Sequence, residues 1–176
     1  MPEHPGFDLK QINGRSIVRL RVRPQAADAA GEALELPPAL QWRGGDPAAH
    51  WIGPEQWLLT SDTRAAEDIT GHISHSLSDQ LHSATDMSSA TVCFALEGPG
   101  SRTVLAMGCG IDMHPGVFAP GQCVRTRFAN VLLLIVAVGD NHFDLYLDRS
   151  HALYLADWLA HAGEDPMSHA LINSVS

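Results

Sequence analysis

Cysteine is scarce in this chain of 176 residues: only Cys93, Cys109 and Cys123 occur, an odd number at wide spacing. That excludes a disulfide framework and any CxxC pair, and it fits a reducing cytoplasm. Positive charge is scarce too. Lys+Arg total 11 against 20 for Asp+Glu, a formal net charge of −9. Nucleic acid is therefore not an expected partner, because phosphate contact needs a basic surface. Long apolar runs are missing as well. The longest, Val131 to Val138, is about half the length of the shortest membrane helix. The opening Met1-Pro2-Glu3-His4-Pro5 has no apolar core of the kind a signal peptide needs. These absences predict a soluble cytoplasmic protein. The common catalytic signatures are also absent: there is no GxSxG elbow, no GxGxxG, no P-loop and no HExxH.

What is present is enough for a core. Hydrophobic residues make up 45% of the chain, and the length suits one domain. Residues 1–14 read as a flexible N-terminal arm with Pro2, Pro5, Gly6 and Gly14; residues 15–162 read as a single domain and 163–176 as a C-terminal tail. The few basic residues cluster: Lys10, Arg15, Arg19, Arg21 and Arg23 are five of the eleven. Over 16–23, Val18, Leu20 and Val22 alternate with Arg19, Arg21 and Arg23, which predicts a half-buried strand. Its arginine face is either a solvated surface or a surface that meets an acidic partner. Residues 24–50 hold Pro37-Pro38, Gly44-Gly45 and Pro47 and read as a long irregular connection. Trp42 within it either plugs the domain's own core or anchors a partner. Arg19, Arg21, Arg23 and Trp42 are thus the interface candidates.

Trp51-Ile52-Gly53-Pro54-Glu55-Gln56-Trp57-Leu58-Leu59-Thr60 predicts a tight hairpin. A helix is expected over 64–82, with Ile69, Ile73, Leu77 and Leu81 recurring every four residues. On such a helix Asp68, His72, His75, Asp79 and His82 share the opposite stripe. Its plain reading is a polar outer face; its sharper one is a metal site using His72, His75 and His82. A strand follows over 89–96, then a long strand over 123–138, a turn at Gly139-Asp140-Asn141 and an alternating strand over 142–148. A last helix runs from His151 to about Ala162, with Ser150 as its cap and Gly163 as its stop. This order predicts an α+β fold with a largely antiparallel sheet and three helices.

The stretch Glu97-Gly98-Pro99-Gly100-Ser101-Arg102-Thr103-Val104-Leu105-Ala106-Met107-Gly108-Cys109-Gly110-Ile111-Asp112-Met113-His114-Pro115 joins the two halves. Gly98-Pro99-Gly100 is turn chemistry, Ser101 to Met107 a short helix, Gly108 a left-handed cap, and Asp112 with His114-Pro115 a second turn. A nucleophilic Cys109 with His114 as base is disfavoured, because a helix C-terminus raises a thiol's pKa. A packing role for Cys109 is the expectation, and no catalytic residue is assigned.

That stretch resembles the γ subunit of heterotetrameric sarcosine oxidase, in the order Gly98-Pro99-Gly100, Leu105, Gly108-Cys109, Asp112, His114-Pro115. So do Gly53-Pro54-Glu55-Gln56-Trp57-Leu58-Leu59, Phe118-Ala119-Pro120-Gly121-Gln122-Cys123-Val124-Arg125-Thr126 and Phe143-Asp144-Leu145-Tyr146-Leu147-Asp148-Arg149-Ser150. The likeness covers roughly residues 50–162. It implies a fold like the folate-binding domain of glycine-cleavage aminomethyltransferases. It also implies a complex with α, β and δ subunits, contact with α being favoured, that demethylates sarcosine oxidatively to glycine and passes the one-carbon unit to tetrahydrofolate. FAD, FMN and NAD then belong to the large subunits and zinc to δ, with no cofactor and no catalytic residue in this chain. The implied role is assembly and stabilisation. The alternatives are a γ subunit of a related N-methyl amino acid demethylase or dehydrogenase, and a stand-alone folate-binding one-carbon protein.

Overall fold

The computed structural model describes residues 6–164. The first strand, β1 (Asp8–Ile12), already departs from the expected arm. Only Leu9 of this strand is buried and the alternation is imperfect, so the segment shows little as a sequence. What makes it a strand is a partner far along the chain, described below.

The chain divides into two compact units, Asn13–Thr91 on the one hand, and the segment through Ile12 together with the chain from Val92 onward on the other. In the first unit, β2 (Ser16–Val22) has the expected alternation: Val18, Leu20 and Val22 are buried, and Arg19 and Arg21 are exposed. Pro24 ends it, but the connection that follows is not irregular throughout. It contains α1 (Ala27–Leu34), which buries Ala30 and Leu34, and the short β3 (Trp42–Arg43). Ala26, Ala30 and Leu34 lie four residues apart, so a narrow apolar stripe of small residues was present. Four α-helices therefore occur among the described residues where three were expected.

The hairpin is as predicted, with β4 (Ala48–Gly53) antiparallel to β5 (Gln56–Ser61). Next comes α2 (Ala66–Ser76), which is shorter than its apolar repeat. Leu77 is its cap, Leu81 lies 63% exposed, and His82 begins β6 (His82–Asp86). The helix stops because this segment pairs antiparallel with β2, Val22 facing His82 and Val18 facing Asp86. The sheet order is β3-β4-β5-β2-β6. Val18, Leu20, Val22, Trp57 and Leu59 from its strands pack with Ala30 and Leu34 of α1 and Ile69 and Ile73 of α2. Each such large side chain contributes about 1.5–3 kcal/mol by leaving water.

The second unit's sheet is β1-β7-β10-β9-β8. It comprises β7 (Thr91–Glu97), β8 (Cys123–Phe128), β9 (Val131–Gly139) and β10 (His142–Asp148) beside β1. β1 pairs antiparallel with β7, Asp8 facing Glu97 and Ile12 facing Cys93. The expected single strand over 123–138 is two strands, antiparallel to each other. The break falls at Ala129, at φ 47°, and Asn130. No glycine marks this turn, which is why the segment reads as continuous. β9 lies between β10 and β8, and Leu133 through Ala137 are all buried, as an apolar run of an interior strand should be.

Two helices complete this unit, α3 (Ser101–Gly108) and α4 (Ala152–Glu164). α4 buries Leu155, Leu159 and Ala162, while Trp158 meets Phe128 edge-on with ring centroids 4.7 Å apart. Ahead of it, Ser150 donates from its backbone N–H and its hydroxyl to Asp148, so Asp148 rather than Ser150 is the capping acceptor. The helix continues through Gly163, which does not stop it. The tail from 165 lies outside the described residues.

Candidate functional site

The junction from 97 to 118 is held by its backbone and by one arginine. Gly98 sits at φ 119°, and a Cβ there would lie 2.7 Å from the Gly6 carbonyl oxygen. The space is taken because Gly98 N–H donates to Asn141 O at 3.0 Å and Gly100 N–H to Gly6 O at 2.5 Å. Gly108 differs from expectation. Its φ is not positive, and the residue after it is extended, at φ −136°. It is glycine because a Cβ would fall 2.3 Å from the Phe128 ring.

Arg102 projects from the first turn of α3 and is 9% exposed. Its Nε donates to Asp140 O at 2.7 Å, and its Nη1 to Met113 O at 2.7 Å and Phe118 O at 2.8 Å. The guanidinium also lies over the Phe143 ring, 5.1 Å from the centroid. One side chain thus fastens α3, the 113–118 turn and the β9–β10 turn. Burial lowers its pKa, with Asp140 acting the other way. Nothing in the sequence singled it out, because its partners are main-chain carbonyls distant along the chain.

Cys109, Asp112 and His114 do not assemble as a catalytic group. Cys109 Sγ donates to Leu105 O at 3.3 Å, and burial pushes its thiol up. The Ile111 backbone hydrogen bond acts the other way. Asp112 accepts from the His114 N–H at 2.9 Å, and His114 Nδ1 accepts from the Gly116 N–H at 3.1 Å. Both are turn contacts on exposed residues.

The histidine stripe comes apart, since His72 and His75 lie on α2 whereas His82 begins β6. His82 Nδ1 lies 2.9 Å from the Gln80 carbonyl oxygen. Among the described residues, no three His, Cys, Asp or Glu side chains gather as a metal site.

The other unit carries the remaining candidates. Trp42 is half-buried and stacks on His50, with centroids 5.7 Å apart. His50 is 2% exposed, and its Nε2 lies 3.0 Å from Thr60 Oγ1. Asp46 accepts from the hydroxyls of Ser61 and Thr63, in that order the causes that hold its carboxyl below the usual range. Arg15 forks onto Asp62 at 2.8 and 3.0 Å, which lowers that carboxyl's pKa. By contrast Arg19, Arg21 and Arg23 are exposed, and no acid among the described residues forms an ion pair with them.

His50 makes stability depend on pH. Burial, and then the Arg15 charge, push its pKa down from 6.5 to about 3. Between these values the unfolded chain takes up a proton that the native chain does not. Stability is therefore fully present above pH 6.5 and falls as pH drops, by about 1.4 kcal/mol per pH unit from this residue. Urea midpoints at pH 7 and pH 5 should show the fall in the wild type, and His50→Asn should flatten it. An equal slope in both proteins would remove His50 as the cause.

Comparison with known proteins assigns the fold. The model of the "Sarcosine oxidase, gamma subunit family" matches residues 22–165. The chain is 28% identical over 161 residues to sarcosine oxidase subunit gamma of Corynebacterium sp. (strain U-96), covering 88% of this chain and 78% of the relative. It is 25% identical over 139 residues to sarcosine oxidase subunit gamma of Arthrobacter sp, covering 75% and 68%. The fold is that of a chain in heterotetrameric sarcosine oxidase from Corynebacterium sp. U-96 in complex with pyrrole 2-carboxylate, at TM-score 0.80 and 23% identity, covering 93% of this chain and 87% of that one. It is also similar to glycine cleavage system aminomethyltransferase T from Bartonella henselae, at TM-score 0.62 and 15% identity, covering 88% of this chain and 45% of that one.

Proposed function

Because the chain belongs to the sarcosine oxidase, gamma subunit family, we propose that it is the γ subunit of a heterotetrameric sarcosine oxidase-like complex and serves assembly and stability rather than chemistry. The family match across 22–165 is the observation that carries this reading. The enzyme activity then belongs to the assembly: oxidative demethylation of sarcosine to glycine, with the one-carbon unit passed to tetrahydrofolate. FAD, FMN and NAD sit in the large subunits and zinc in δ, so no step of the reaction is routed through a residue of this chain. The groups of the 97–115 stretch act on the fold: Gly98 and Gly108 give room, Arg102 ties carbonyls, and Asp112 and His114 shape a turn.

The α subunit is the proposed neighbour, and Arg19, Arg21, Arg23 and Trp42 are the proposed contact residues. Trp42 already uses one ring face on His50, so the arginines are the stronger part of that set. No helix among the described residues is long and apolar enough to cross a membrane.

The test is co-purification. An affinity tag on this chain in its native cell should bring down yellow, flavin-containing large subunits that oxidise sarcosine. Recovery of the chain by itself, with oxidase activity of its own, would overturn the assignment.

A further inference from the structure

β6 is the edge of its sheet: β2 lies on one side, and among the described residues no strand is hydrogen-bonded on the other. Edges of this kind are commonly blunted by lysine, proline or a bulge. His82-Ser83-Ala84-Thr85-Asp86 contains neither residue, and its pairing with β2 runs without a register shift. On one face of this edge, Ser83 stands opposite Arg21 and Thr85 opposite Arg19. Both hydroxyl residues are short and exposed, as are the two arginines. Adjacent strands lie about 4.8 Å apart, so a strand added beside β6 would lie about 10 Å from β2. A long arginine side chain can cross Ser83 or Thr85 to meet it.

We propose that β6 receives an extended acidic segment of a large subunit, paired by its main chain to the open edge, with carboxylates at alternate positions reaching Arg19 and Arg21. Main-chain pairing supplies the affinity and the arginine forks select carboxylates at spacing i, i+2. The local charge supports the choice of partner, because Arg19 and Arg21 are exposed and form no ion pair among the described residues. The β8 edge also carries arginines, but Arg127 is held by Ala129 O at 3.1 Å and Asn130 Oδ1 at 3.3 Å. This inference rests on the γ-subunit reading.

Hydrogen exchange of the tagged complex and of the isolated full chain tests it. Those β6 amides that point away from β2 should exchange at least about tenfold more slowly in the complex. An Arg19→Glu/Arg21→Glu chain, with its melting temperature unchanged, should recover at most about a tenth of the large subunits, a loss of roughly 1.4 kcal/mol or more. Unchanged β6 exchange with the large subunits still bound, or full recovery by the double variant, would overturn the β6 site alone. Failure of the wild-type chain to recover any large subunit would overturn both this site and the γ-subunit reading.

Discussion

Arg102→Met should cost about 3 kcal/mol of stability, because three main-chain carbonyls lose a donor and leaving a buried acceptor unsatisfied costs about 1–3 kcal/mol. Methionine keeps the apolar stem and its contact with Phe143 but offers no donor. The Asp140, Met113 and Phe118 carbonyls then lose donors at 2.7, 2.7 and 2.8 Å. Arg102→Lys should recover less than half of the loss. One ammonium keeps the charge, but it lacks the planar fork that reaches carbonyls on two separate turns. Urea midpoints of the three proteins provide the measurement. A loss below about 1 kcal/mol in the methionine variant would show that water satisfies these carbonyls as well as the arginine does.

Gly108→Ala should cost about 3 kcal/mol, at the upper end of what one added methyl does in a filled core. Ordinary helix propensity predicts the opposite, a gain of up to about 1 kcal/mol. Sterics win because the new Cβ would stand 2.3 Å from two carbons of Phe128, a ring that is 0% exposed and is held edge-on by Trp158. Gly110→Ala is the control, since nothing lies within 4 Å of its Cβ position. It should change stability by no more than about 0.5 kcal/mol. Phe128→Leu placed on top of Gly108→Ala should restore part of the loss. Additive effects of the two substitutions would mean that the ring is not what excludes the methyl.

Gly108 also shows how far the sequence could be read. A glycine at a helix end was legible, but its reason was not. The signal for a left-handed cap and the signal for a ring from β8 are the same letter. The alternation of β2, the Gly-Pro hairpin of β4 and β5, and the apolar stripe of α4 were visible because each is set by local period or turn chemistry. The errors fall where a distant segment decides. Leu77 and Leu81 continue the repeat of α2, yet pairing with β2 takes the chain into β6 instead. That pairing also removes His82 from the stripe that suggested a metal. At Ala129 the chain turns without glycine, asparagine supplying the next residue, so β8 and β9 read as one strand. α1 went unseen because alanines four apart give a weak stripe between two proline-containing segments. Arg102 was only one residue of an expected short helix. Its three acceptors are main-chain oxygens, which carry no mark in a sequence.

β1 has a consequence for synthesis. The residues of β7 that pair with it, Cys93 to Glu97, follow the whole of Asn13–Thr91, and β8, β9 and β10 come later still. Domains fold as units while the chain emerges from the ribosome. The 13–91 unit therefore has all of its strands available while β1 still waits with its edge unpaired. β1 is thus made before the 13–91 unit, and its partner strand only after it.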